Sequence, residues 1–160
     1  MVASVHQVDA GLLAGLGVQG VMVDLDDTLL AAADEVLDPS IDVWLAGLKD
    51  AGFPVLILSN GERQRVALVA RRLGVDAMAL SGKPFTRAFS RALASLGTPA
   101  AATAMVGDQL FTDVLGAHLA GMRSILVQPL SPGKLPHTRL VRHLERMILR
   151  GGERGRPVHR

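Results

Sequence analysis

The sequence predicts a three-layer α/β domain, a parallel sheet of about five strands covered by helices on both faces. Three observations carry that expectation. Short apolar runs alternate with longer segments of helical period over most of the 160 residues, and four of those segments stop at a glycine, Gly52, Gly74, Gly97 and Gly121. Strand-then-helix repetition favours parallel pairing, because each helix carries the chain back across a face of the sheet. The composition, 49% hydrophobic and 20% charged, excludes a disordered or collagen-like chain. The absence of cysteine excludes a disulfide scaffold, a thiolate nucleophile and a thiolate zinc site. Aromatic residues are only 3%, which argues against stacking platforms, so no nucleic-acid partner is expected.

The elements follow in order. Residues 12–18, preceded by Asp9 and interrupted by Gly15 and Gly17, read as a short helix packed on the domain. Residues 20–25 (GVMVDL) read as a buried first strand. Residues 39–51 form a helix with Pro39 in its first turn and Gly52 beyond its end. Strands are expected over 54–58 (PVLIL), 76–80, 103–106 and 124–128, and helices over 62–73, 84–96, 112–120 and 137–150. Residues 1–150 are read as one domain, and the basic stretch 151–160 as a tail without fixed structure. No run reaches the roughly 18 apolar residues of a membrane span, and the N-terminus lacks the basic start of a signal peptide, so the expected address is the cytoplasm.

In open parallel sheets, ligands bind beyond the carboxyl ends of the strands. The first strand runs into Asp24-Leu25-Asp26-Asp27-Thr28, where Asp24 and Asp26 lie two apart and can face one site. Close carboxylates repel unless a cation or proton lies between them; a solvated acidic turn is the plainer reading of that segment alone. The second strand ends in Ser59-Asn60-Gly61 before a helix, which suits either an anion cradle or simple capping. Lys83 stands at a helix start, where the dipole disfavours a cation and a nearby negative charge would compensate. The fourth strand ends in Gly107-Asp108-Gln109, with Thr112-Asp113 following. Carboxylates with a lysine and a hydroxyl at one sheet edge suit a hard cation and a phosphoryl group.

That set of four motifs, DxDxT, SN, K and GDxxxTD, resembles the haloacid dehalogenase (HAD) superfamily of phosphohydrolases over residues from about 20 to 130. Lys83-Pro84-Phe85, with the stretches 106–116 (VGDQLFTDVLG) and 125–130 (ILVQPL), is more narrowly similar to the YqeG-type class IIIA phosphatases, the branch that includes phosphatidylglycerophosphate phosphatases. The resemblance implies a Rossmann-like core and assigns roles residue by residue. Asp24 would be the nucleophile forming an aspartyl-phosphate, and Asp26 the acid and then the base. Mg²⁺ would be held by Asp24, by Asp108 and by the backbone carbonyl of Asp26. Ser59, Asn60 and Lys83 would hold the phosphoryl group, with Asp113 and Thr28 in support. The acid at Asp26 fits rapid dephosphorylation and so favours a phosphatase over a transport ATPase or a dehalogenase. At Gly61 the branch is expected to carry a second asparagine.

Thirty residues separate Thr28 from Ser59 and 22 separate Asn60 from Lys83, each gap already filled by a helix and a strand, so no cap domain is expected. The open site would admit a large substrate or borrow a lid from another subunit; the oligomeric state stays open. The partner expected is a phosphorylated small molecule or lipid. A capless sugar-phosphate phosphatase resembling 3-deoxy-octulosonate 8-phosphate phosphatase, or a non-catalytic phosphate-binding scaffold, are the alternatives. From Lys134 to Arg160 there are eight Lys and Arg against two acids, in a chain whose overall formal charge is +2. Arg139, Arg142, Arg146 and Arg150 share one face of the expected last helix, which suits either a solvated surface or peripheral contact with an anionic membrane. The GxGxxG of residues 15–20 precedes the first strand, so a dinucleotide site is rejected, and the five histidines show no ligand spacing.

Overall fold

The computed structural model describes residues 1–31 and 36–131. The chain divides into a compact unit, Met1–Leu130, and a segment, Ser131–Arg160. The helix expected over 137–150, its arginine stripe and the tail lie outside the described residues.

Five strands form one sheet: β1 (Gly20–Val23), β2 (Val55–Leu58), β3 (Asp76–Met78), β4 (Thr103–Gly107) and β5 (Arg123–Leu126). Their order is β3-β2-β1-β4-β5, and every pairing is parallel. β1, β2 and β4 are buried along their whole length, which is why their sequences run apolar without alternation. The helices are α1 (Ala10–Gly15), α2 (Pro39–Asp50), α3 (Arg63–Leu73), α4 (Thr86–Leu96) and α5 (Leu115–Leu119). One face of the sheet packs Val21, Val23, Ile57 and Val106 with Ile41, Trp44 and Leu48 of α2 and Val66, Val69 and Leu73 of α3. The other packs Met22, Leu56, Leu58 and Met105 with Ala88, Phe89 and Ala92 of α4 and Ala117 of α5. Three layers result, as expected from the alternation.

Several boundaries move. β1 stops at Val23, before Asp24, because the chain turns sharply there: Leu25 O accepts from Leu29 and Leu30 N–H at 3.0 Å each, and Asp27 sits at φ +59°. The helix expected over 112–120 begins as a π-helical turn, Leu110–Val114, before α5. Asp113 turns inward in that turn; its carboxylate accepts from Gln109 N–H at 3.1 Å, and a side chain on Gly107 would meet it at 2.2 Å. The short helix predicted over 12–18 starts earlier, at Ala10, because Asp9 caps it by accepting from Leu12 N–H at 2.8 Å. No helix among the described residues is long and apolar enough to cross a membrane.

β1 has its crossovers leaving on both sides, so the switch point lies between β1 and β4, where a crevice opens at the carboxyl edge.

Candidate active site

The four motifs come together at that edge. Lys83, from the loop before α4, reaches between two acids that follow different strands, Asp24 after β1 and Asp113 after β4. Its Nζ lies 2.9 Å from Asp24 Oδ1 and 2.6 Å from Asp113 Oδ1, and all three side chains are buried. Buried charges survive only when paired, so these three specify each other's positions. Burial pushes the Lys83 ammonium down, but the two carboxylates outweigh it and hold its pKa above the ordinary value.

Asp24, Asp108 and Asp113 each place a carboxylate oxygen within 4.8 Å of the other two. Asp113 is already engaged, one oxygen by Lys83 and the other by Gln109 N–H. Asp108 accepts a long bond from Thr28 Oγ1, 3.4 Å, and burial together with the charges of Asp24, Asp113 and Asp27 pushes its pKa up to about 7. Burial likewise raises Asp24 to about 6, against the opposing pull of Lys83. Oxygen donors packed this closely carry more negative charge than the single lysine balances, and a hard divalent cation fits that donor set.

Ser59 and Asn60 close the other side. Ser59 is buried, accepts from Gly61 N–H at 2.9 Å, and lies 3.5 Å from Asp26 Oδ2. Asn60 positions Lys83 instead of facing the open crevice. Its Oδ1 accepts from Ser81 Oγ and from the N–H groups of Gly82 and Lys83 at 2.8–3.0 Å, while its Nδ2 donates to Lys83 O at 3.0 Å. The side chain is therefore spent on the lysine loop.

Asp26 stands half-buried beside Asp24, and its carboxylate is paired with Arg65. Burial raises the Asp26 pKa, with Arg65 opposing. Arg65 is the residue that sequence reasoning missed. The signal was present: Arg65, Val69 and Leu73 are spaced by four in α3, so the arginine shares the helix face that packs on the sheet. Gly61, where a second asparagine was expected, has a local reason. A Cβ there would lie 2.9 Å from Asp26 Oδ2 and 3.0 Å from Ser59 Oγ.

The chain that carries this arrangement, two acids beside a buried lysine with a further acid across the crevice, is similar to known phosphatases. Residues 80–129 match the HAD-hydrolase-like family model. The probable phosphatase YqeG of Bacillus subtilis is 36% identical over 132 residues, 82% of this chain and 77% of that protein. The chloroplastic phosphatidylglycerophosphate phosphatase 1 of Chlamydomonas reinhardtii is 28% identical over 82% of this chain, which spans only 52% of that protein. Among solved structures, the cobalt-bound deoxy-D-mannose-octulosonate 8-phosphate phosphatase of Haemophilus influenzae shares the fold, with a TM-score of 0.57, 21% identity and 68% of each chain covered. On the strength of the long YqeG match, the chain belongs to the HAD superfamily, as a phosphatase of the YqeG-like branch.

Proposed function

We propose that the protein is a Mg²⁺-dependent phosphomonoesterase working through an aspartyl-phosphate, with phosphatidylglycerophosphate as its preferred substrate. The observation that carries the chemistry is the buried Lys83 ammonium between Asp24 and Asp113, 2.9 and 2.6 Å away. It keeps Asp24 ionised against burial and leaves its second oxygen available for attack on phosphorus.

In this reading, Asp24 attacks in line and its carboxylate becomes an acyl phosphate as the ester oxygen departs. Asp26 gives that oxygen a proton, then takes one from the water that hydrolyses the acyl phosphate, restoring both residues. Lys83 and Ser59 hold the transferring oxygens, Asp113 and Asn60 position Lys83, and Thr28 positions Asp108. Asp24, Asp108 and the backbone carbonyl of Asp26 are the residues that would hold Mg²⁺. The bound cation supplies charge that stabilises the phosphoryl oxygens in the transition state. The lipid substrate is supported by the similarity to a phosphatidylglycerophosphate phosphatase.

Hydrolysis of p-nitrophenyl phosphate tests the chemistry. Asp24→Asn or chelation by EDTA should reduce turnover by about a thousandfold or more, and retained turnover in either case would refute it. A panel pairing phosphatidylglycerophosphate in detergent micelles with soluble sugar phosphates tests the substrate: a higher kcat/KM on the sugar phosphates would move the assignment to a capless sugar-phosphate phosphatase.

A further inference from the structure

Four large apolar side chains stand exposed at the same carboxyl edge that carries the acids: Leu80 at 58%, Phe85 at 75%, Phe111 at 43% and Leu130 at 52%. Each belongs to a loop or turn that builds the site. Leu80 N–H donates to Gly61 O at 3.1 Å, and Leu130 N–H to Asp27 O at 2.9 Å. Phe85 follows Lys83 by two residues, and Phe111 lies between Gln109 and Thr112, whose side chains bond at 3.2 Å. A side chain on Gly116 would come within 3.1 Å of Pro84 Cα, so α5, which follows the turn bearing Phe111, lies against the loop bearing Phe85. Two of the chain's four phenylalanines are thus spent at the mouth of an uncapped site, where water contact with large apolar groups is costly unless something covers them.

We propose that this apolar rim docks the active site onto the anionic surface of a lipid bilayer. The inference rests on the lipid-phosphate reading above and deepens it. Charge decides between a bilayer and a second copy of the chain. Beyond Leu130 and Ser131 the sequence continues into residues 132–160, and from Lys134 onward it carries eight Lys and Arg against two acids. That basic sequence follows Leu130 directly along the chain. Anionic headgroups attract a segment of that charge, whereas a second copy of the chain carries the same charge and offers it no complement. A rim that immerses also leaves the crevice open to a phosphate presented from the headgroup layer, with no need to extract the lipid.

The full-length protein is sedimented with vesicles of phosphatidylcholine alone and with vesicles containing phosphatidylglycerol, beside a variant carrying Leu80→Asn and Phe85→Ser. Leu80 sits at φ +46°, a conformation asparagine tolerates. The wild type should bind the anionic vesicles in preference to the neutral ones. The double variant should lose about tenfold in that binding, as befits removing two partly immersed apolar side chains, while hydrolysing soluble p-nitrophenyl phosphate within about twofold of wild type. Equal binding by variant and wild type, or no binding to anionic vesicles, overturns the proposal. So does a wild-type dimer, measured by light scattering, that dissociates in the variant without any vesicle binding. Vesicle binding that depends on the rim but comes with no phosphatase activity would sustain the docking surface and remove the catalytic reading, so the two fail separately.

Discussion

Replacing Asp108 by asparagine should make the protein more stable in EDTA at about pH 8 while removing its response to Mg²⁺. An acid whose pKa is higher folded than unfolded stabilises the fold at low pH and loses that contribution as pH rises through the folded value. For Asp108 the window runs from its ordinary 3.8 up to about 7. At about 1.4 kcal/mol per pH unit the ionised group would cost the fold up to about 4 kcal/mol above that window. The carboxylate is partly open to solvent, so about 2 kcal/mol is the better expectation after screening. For a domain of this size that corresponds to a rise in Tm of roughly 4–8 °C. Asparagine keeps the size and still accepts the Thr28 hydroxyl. Differential scanning calorimetry should therefore show the variant melting above wild type near pH 8, with the gap closing as pH falls toward 4. Millimolar Mg²⁺ should raise the wild-type Tm near pH 8 and leave the variant nearly unchanged. A variant that melts at or below wild type in EDTA near pH 8 would refute the account of a charge-strained acid.

Lys83→Met should destabilise the protein by about 3–5 kcal/mol near neutral pH, because it strands Asp24 and Asp113 without their cation; chemical denaturation reads this, and a loss under about 1 kcal/mol would contradict it. Gly61→Ala places a methyl 2.9 Å from Asp26 Oδ2 and should lower kcat by about tenfold at unchanged KM, so an unaltered kcat would mean the placement of Asp26 there is unimportant. Arg65→Met removes the charge that opposes the raised Asp26 pKa, so the alkaline limb of the kcat–pH profile, where the proton donor is lost, should move to higher pH. A limb that stays in place or moves down would sever the link between Arg65 and Asp26.

The layered architecture was legible because its signals are local and repeated: apolar β1, β2 and β4 need no alternation when both faces are covered, and glycines at 74 and 97 end α3 and α4 in left-handed conformation. The acids, Ser59 and Lys83 were legible as a motif set whose order matches the strand ends. What escaped was anything fixed by a tertiary partner. Asn60 suits an anion cradle by its place in the sequence, and in the structure its amide also bonds the backbone of 82–83 and the Ser81 hydroxyl, a loop more than twenty residues away. Arg65 shares the face of α3 that Val69 and Leu73 bury, but only the tertiary fold brings Asp26 beside it. The inward Asp113 required a π turn and a bare Gly107, neither of which periodicity reveals.

The strand order has a consequence for motion. The β2–β3 half of the sheet contributes Ser59, Asn60 and the loop of Lys83, while the β4–β5 half contributes Asp108 and Asp113, and Asp24 stands on the seam with its N–H bonded to Val106 O at 2.9 Å. Any breathing that parts β1 from β4 takes Asp24 away from Asp108 and Lys83 away from Asp113. A molecule bridging both halves would act as a rivet across that seam, and deuterium uptake at the Asp24 amide would slow in proportion to how tightly the rivet holds.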